Sequence, residues 1–358
     1  MVASGDDKYS GPPAHVAAFL LLPNLRALYA WKAGDSETKD EDDPDAFFSN
    51  LPPRSISVEA VELRCAKLFH KHFSSLLSAL TPGKLKTFQY EIGNSWAWTI
   101  VHHGRIMEAL KPHYGTLENL ELSHEDFYPY EYEGDDDILN IVPVSFRAFE
   151  KLRKLKVAPV YIWGHEKIRQ GENGENTGEP LKANPEVTKP ENREMLWKAL
   201  PSTLEELGIM RADNAGRDES HISSLVLPAL HILLDHASES FPLLKQIYVS
   251  FSTQDQTLEW LTDLHSLAVR AGNLGITVLI EITNCGYTFD SPAERRWGWY
   301  EDVEWEECIN NLGNRLPRMV VAEQEDLFET LRGYGVPLPA EDDPEKGGEE
   351  PPMELAND

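Results

Sequence analysis

A serine at a sharp turn is the first group in the chain that could do chemistry. Gly93-Asn94-Ser95-Trp96-Ala97 follows a predicted strand and precedes a predicted helix, the setting in which a nucleophilic serine meets a histidine and an acid. The second glycine of that turn is missing, and no His-Gly-Gly-type segment for an oxyanion lies upstream. A serine hydrolase around Ser95 is therefore the less favoured alternative, since a Gly-Asn turn at a strand end explains the same residues.

Metal and cofactor chemistry has weaker support in the sequence. Cys65, His70 and His72 are near one another, but no Cys-x-x-Cys, no His-Glu-x-x-His and no second ligand pair accompanies them. The acidic segment 35–45 lacks the glycine and glutamate positions of a calcium loop. The glycine-rich segment 171–178 lies among glutamates that would repel phosphate. We expect no metal, no cofactor and no enzymatic activity.

Aromatic residues with equal offsets are better candidates for a binding site. Counted from the first residue of a repeat described below, Trp96, Tyr128 and Trp163 are each eleven residues along, and Trp98 and Tyr130 are thirteen along. Equal offsets in stacked repeats place side chains on one rim, where aromatic rings can anchor a protein partner. The alternative is that the rings pack between repeats as part of the core.

A second set of candidate binding residues lies on the predicted strands. Side chains alternate across a strand, so the residues between the inward apolar positions face solvent on the concave side of a curved stack. These residues mix charges with rings, and either a partner or solvent could cover them. They are Tyr29, Trp31, Glu62, Arg64, Gln89, Glu91, Glu121, Ser123, Lys156, Met210 and Tyr248.

A repeat must position all of these side chains. Its pattern is Leu-x-x-apolar-x-apolar, usually preceded by a large apolar residue and a proline or glycine. Copies begin at Leu25, Val58, Leu85, Leu117, Leu152, Leu204 and Leu244, and a weaker eighth copy spans 276–282. The spacings between the seven starts are 33, 27, 32, 35, 52 and 40 residues. The first, fourth and sixth positions of each copy are predicted to point inward from a strand.

Stretches with helical periodicity separate the copies, at 66–80, 98–112, 191–200, 219–240 and 257–273. Strands that alternate with helices pair in parallel through right-handed crossovers. The sequence therefore predicts an α/β fold. Its architecture is a leucine-rich-repeat-like solenoid with irregular long repeats, parallel strands on the concave face and helices on the convex face.

The repeats resemble the leucine-rich-repeat region of F-box proteins from filamentous fungi. The resemblance covers about residues 20–282 and rests on phrases such as Leu22-Pro23-Asn24-Leu25, Leu200-Pro201-Ser202-Thr203-Leu204 and Phe241-Pro242-Leu243-Leu244. It implies that the chain recognises proteins, as the substrate-reading part of a ubiquitin-ligase-type adaptor. The first repeat begins near residue 20, so the helices of an F-box are not expected in this chain.

The remaining segments complete the predicted domain organisation. We expect a disordered tail at 1–13, the solenoid at 14–286 with a flexible insertion at 165–189, a cap at 287–335 and an acidic disordered tail at 336–358.

Composition restricts the partners. Lys and Arg number 33 against 60 Asp and Glu, and a net charge of −27 repels nucleic acid and anionic lipid. The three cysteines and the lack of a signal-like start or long apolar run indicate an intracellular chain, cytoplasmic or nuclear. We predict a monomer that binds a protein partner through Tyr29, Trp31, Arg64, Trp96, Trp98, Tyr128, Tyr130, Trp163 and Tyr248. A structural scaffold without an ordered ligand is the third alternative.

Overall fold

The structure analysed is a computed structural model of the full chain. It describes residues 19–31, 33–34, 51–68, 70–93, 103–124, 143–164, 189–210, 225–252, 260–283 and 318–321. Ser95 and the predicted rim residues Trp96, Trp98, Tyr128 and Tyr130 lie outside the described residues. So do both predicted tails, nearly all of the predicted insertion and most of the predicted cap.

A single sheet of nine strands organises the described residues, and the strands lie side by side in chain order. Strands β1 to β8 pair in parallel, and β9 pairs antiparallel with β8. The strands are β1 (Ala27–Trp31), β2 (Ala60–Ala66), β3 (Thr87–Ile92), β4 (Asn119–His124), β5 (Lys154–Val157), β6 (Glu206–Ile209), β7 (Gln246–Ser252), β8 (Thr277–Thr283) and β9 (Arg318–Val321). The predicted α/β class and parallel pairing are confirmed, while β9, within the predicted cap, was not predicted.

The strand register places equivalent repeat positions side by side. Leu120 pairs with Phe88 on one side and with Leu155 on the other, and this row continues through all eight parallel strands. Every residue of this row is at most 2% exposed, and every residue of the row two positions later along the strands is at most 4% exposed. The first row comprises Leu28, Val61, Phe88, Leu120, Leu155, Leu207, Ile247 and Val278. The second row comprises Ala30, Leu63, Tyr90, Leu122, Val157, Ile209, Val249 and Ile280. The fourth and sixth repeat positions therefore point into the core as predicted. The first positions precede the strands and are buried, except for the partly buried Leu25.

Helices connect the strands and bury their apolar sides on these two rows. They are α1 (His70–Ala79), α2 (His103–Leu110), α3 (Pro159–Trp163), α4 (Met195–Ala199), α5 (Leu227–Ser240) and α6 (Leu261–Gly272), with short 3-10 helices at Lys111–His113 and Pro190–Glu194. Phe73 of α1, for example, packs edge-on against Phe88 at 5.8 Å between ring centroids and lies 5.1 Å from the ring of Tyr90. Buried residues of the helices and the strands form one continuous hydrophobic core.

A row of alternating charges runs along the amino ends of the strands. From the second repeat to the seventh, the residue after the first repeat position donates its backbone N–H to the carbonyl oxygen of the equivalent residue in the preceding repeat, at 2.7–2.8 Å. The charges of these residues alternate strictly: Arg26, Glu59, Lys86, Glu118, Arg153, Glu205 and Lys245. We call this row the charge ladder.

Several neighbours in the charge ladder form ion pairs. Lys86 Nζ lies 2.8 Å from Glu59, and Glu205 binds both Arg153 and Lys245, at 2.6 and 3.0 Å. The hydrogen bond from Lys245 is the main reason why the pKa of Glu205 lies below its usual value. Because like charges would meet if a strand were skipped, the ladder favours this strand order.

The burial pattern predicts that Leu120→Ala lowers the free energy of unfolding by about 2–5 kcal/mol, because it opens a cavity in the middle of the core. Leu243→Ala is the matched control, because Leu243 is 48% exposed and its truncation is expected to change stability by less than about 0.5 kcal/mol. Urea unfolding followed by circular dichroism measures both. Equal midpoints for the two variants would contradict the strand register.

Candidate functional site

The face of the sheet opposite the core carries the candidate site, which we call the open face. It has two rows, whose side chains alternate with the buried rows along each strand. The first open row comprises Tyr29, Glu62, Gln89, Glu121, Lys156, Gly208, Tyr248 and Leu279. The second lies two residues further along and includes Arg64, Glu91, Ser123, Met210 and Ser250. The register thus brings together the strand residues predicted to share this face.

Arg64 connects the polar side chains of the open face on β2 to β4. The register of β2 against β3 shifts between Leu63 and Ala66, so β2 carries one extra residue there. A bulge of this kind redirects the side chain that it carries. The Arg64 guanidinium reaches two strands away, where both of its terminal nitrogens donate to the carboxylate of Glu121. It also donates to Glu91 at 3.3 Å and to the side-chain oxygen of Gln89.

Arg64 forms a cluster with Glu62, Gln89, Glu91 and Glu121, and burial and charge have opposite effects on its pKa. Burial lowers the pKa of Arg64, but the carboxylates of Glu121 and Glu91 outweigh it, so the net pKa is raised. The side chain of Glu121 is only 8% exposed, whereas those of Arg64 and Glu91 are 34% and 25% exposed. Arg64 therefore stays charged at any physiological pH and compensates for the burial of Glu121.

Glu62 differs from the other carboxylates of the cluster. It is half-buried beside Tyr29 and Gln89, and it forms no hydrogen bond or ion pair with the residues that the structure describes. Burial raises the pKa of Glu62, the charge of Arg64 opposes this effect, and the charge of Glu121 adds to it. Glu62 is thus a carboxylate held on the open face at some cost in stability.

A lysine and a tyrosine occupy the part of the open face on β5 to β7. The Nζ of Lys156 lies 5.3 Å from the centroid of the Tyr248 ring, although β6 separates their strands. Gly208 of β6 allows this contact, because a Cβ at Gly208 would lie 2.8 Å from Cγ of Lys156. Tyr248 donates its hydroxyl hydrogen to the side-chain oxygen of Gln246 at 2.8 Å. Sequence reasoning missed Gly208, because a glycine has no side chain to suggest a site.

The predicted aromatic rim is only partly described. Trp163 belongs to α3, is 6% exposed and donates its indole N–H to the backbone oxygen of Asn192 at 3.0 Å. Its inclusion among the partner-binding residues is therefore wrong, and the core alternative applies to it. Among the described rings of the open face, Tyr29 is the most exposed, at 43%. Trp31 lies in β1, and its side chain is outside the described residues.

The second open row is less accessible than the alternation predicts. Ser123, Met210 and Ser250 are 3%, 9% and 0% exposed. All three lie near the carboxyl ends of their strands. The predicted exposure of Ser123 and Met210 is therefore wrong. The accessible part of the open face consists of the first row without the buried Glu121 and Gly208, together with Arg64 and Glu91.

Metal-binding groups do not assemble in the described ranges. These residues hold no group of three or more His, Cys, Asp or Glu side chains placed to bind a metal ion. His113 is fully buried, with Nε2 3.3 Å from the backbone oxygen of Leu77, and burial lowers its pKa. This histidine packs in the core between helices rather than at a surface where a substrate could reach it.

Comparison with known proteins gives no further guidance. No protein-family model matches the chain, and no curated protein matches it. Within the residues that the structure describes, no helix has the length and apolar character needed to cross a bilayer.

Replacing Glu62 with glutamine is expected to raise the free energy of unfolding at neutral pH. Because the folded-state pKa of Glu62 is raised, the folded protein binds a proton there more tightly than the unfolded chain does. The resulting cost is absent at pH values below the unfolded pKa and is complete above the folded pKa. Urea unfolding of the wild-type protein and Glu62→Gln should therefore diverge as the pH rises from acid to neutral.

Glu239→Gln is the control for Glu62→Gln, because it removes the same charge from the exposed side of α5 and so corrects for the net charge of the chain. A Glu62→Gln protein that is less stable than Glu239→Gln at neutral pH would contradict this account of Glu62.

Substitution of two glycines by alanine should have opposite effects on stability. Gly208→Ala is expected to lower the urea midpoint, because its Cβ would meet the Lys156 side chain at 2.8 Å and the Lys156 backbone at 3.4 Å. Gly104→Ala, in α2, meets nothing within 4 Å and should stabilise the protein by about 0.4–1 kcal/mol. A Gly208→Ala protein as stable as Gly104→Ala would show that Lys156 does not lie across Gly208.

Proposed function

We propose that the chain is a leucine-rich-repeat-like solenoid that recognises a protein partner through the open face and carries out no catalysis. The strand order carries this proposal. All eight parallel strands follow chain order, and parallel crossovers are right-handed in nearly all proteins. Connections of one hand that always advance in one direction keep their helices on the same side of the sheet. The other side is then available to a partner.

The composition of the open face supports recognition rather than solvent exposure alone. The open face combines two tyrosines with half-buried charged side chains that are already held in place, Arg64 by its carboxylates and Lys156 by Tyr248. Ordered charges and rings lose little conformational entropy when a partner binds, which is typical of binding hot spots. The resemblance to F-box proteins adds the proposed setting, a ubiquitin-ligase-type assembly in which this face would read the substrate.

Site-specific photo-cross-linking tests the proposal. A benzophenone amino acid in place of Tyr248 should capture a partner in cells, whereas the same group in place of Val269 should not. Val269 is 49% exposed on α6, on the helical layer. The captured protein is identified by mass spectrometry and purified, and its affinity is then measured by calorimetry. Tyr248→Ala should weaken this affinity by about 2 kcal/mol or more.

Two results would contradict the proposal. One is equal capture of the same protein from positions 248 and 269. The other is unchanged affinity of the purified partner for a folded Tyr248→Ala protein. A chain that captures no protein from position 248 would favour the structural-scaffold alternative.

A further inference from the structure

Around β2, the open face carries more negative than positive side chains. The cluster on β2 to β4 contains three carboxylates, Glu62, Glu91 and Glu121, and one guanidinium, that of Arg64. Arg64 binds Glu91 and Glu121 and has no hydrogen bond to Glu62. Glu62 therefore has no hydrogen bond or ion pair with the described residues, and the single guanidinium of the cluster is bound to the two other carboxylates.

An exposed ring stands beside this carboxylate. Tyr29 of β1 is the register partner of Glu62, and both residues belong to the first open row. Neighbouring strands are about 4.8 Å apart, so the ring and the carboxylate border the same space above the sheet. Tyr29 is 43% exposed, so part of this residue is accessible to a partner. A cation placed there would meet a negative charge and an aromatic face together.

The chemistry of the two groups selects among cations. A guanidinium is planar, stacks on aromatic rings and binds a carboxylate through two parallel hydrogen bonds. An ammonium is a strongly hydrated point charge. It cannot stack on a ring and also bind a carboxylate through two parallel hydrogen bonds. Nucleic acid and acidic segments, including the chain's own segment 341–350, carry the charge that Glu62 repels.

We propose that the open face selects a partner segment that contains an arginine, and that this arginine binds between Tyr29 and Glu62. The proposal rests on the proposed function and adds the chemistry of the partner to it. Arg64 and the two carboxylates bound to it lie beside this position, and together with Glu62 they carry a net negative charge. Lys156 and Tyr248, further along the first open row, would contact a more distant part of the same segment.

Fluorescent peptide pools test the proposal on the intact chain. The pools have degenerate flanks and a fixed central residue, which is arginine, lysine, citrulline or glutamate. Citrulline keeps the shape of arginine but has no charge. Fluorescence anisotropy at physiological salt should show the arginine pool binding at least about tenfold more tightly than the citrulline pool. The lysine pool should lie between these two, and the glutamate pool should bind least.

Variants locate this preference on the protein. Glu62→Gln and Tyr29→Ala should each reduce the advantage of the arginine pool over the citrulline pool. In Glu62→Gln, this advantage should fall to about the value expected for a site without a charge. Glu239→Gln removes the same charge from the helical layer and should leave the advantage of arginine over citrulline unchanged. This control distinguishes binding at Glu62 from general attraction of arginine to an acidic protein.

Three results would overturn the proposal: equal affinities for the arginine and citrulline pools, an arginine preference that persists in Glu62→Gln, or no binding by any pool. Each can occur while a partner is still captured from position 248, so failure of the arginine site is distinguishable from failure of the proposed function.

Discussion

Every property of the open face depends on the register in which the eight parallel strands pair. Side chains alternate between the two faces, so a slip of one residue would move an apolar row such as that of Leu120 from the core to solvent. The same slip would bury Glu62 and separate Arg64 from Glu121. One arrangement of backbone hydrogen bonds therefore fixes both sides of the sheet. It places the apolar rows on the side that the helices cover and the polar rows on the open face.

Two kinds of interaction select this register. Burial of the inward rows supplies most of the free energy, but apolar side chains tolerate many partners and do not by themselves distinguish one neighbour from another. The charge ladder adds this distinction, because Glu205 is placed between Arg153 and Lys245 and would meet a like charge if one repeat were skipped. Exposed ion pairs contribute little stability individually. Their value here is that opposite signs follow one another through seven repeats.

The sequence predicts the strands well because their apolar pattern repeats with little variation, and all eight copies lie in or directly before strands. It predicts the site less well. Equal spacing suggested a shared rim for Trp163, but a helix begins at Pro159 directly after β5 and turns this ring into the core. The reach of Arg64 depends on a bulge that no residue type marks, and the path of Lys156 depends on Gly208. The charge ladder could have been found by aligning the repeats, since it occupies the second position of each copy.

The proposed function requires a partner to cover the open face and to leave the helical layer and the amino edge of the sheet free. Hydroxyl-radical footprinting tests it most directly, by comparing the free chain with its complex with the partner identified by cross-linking. We expect Tyr29 and Tyr248 to lose most of their reactivity in the complex, while Leu243, Val269 and Leu274, which are 44–49% exposed in the free chain, keep theirs. Protection of these three residues with both tyrosines still reactive would contradict the proposed function.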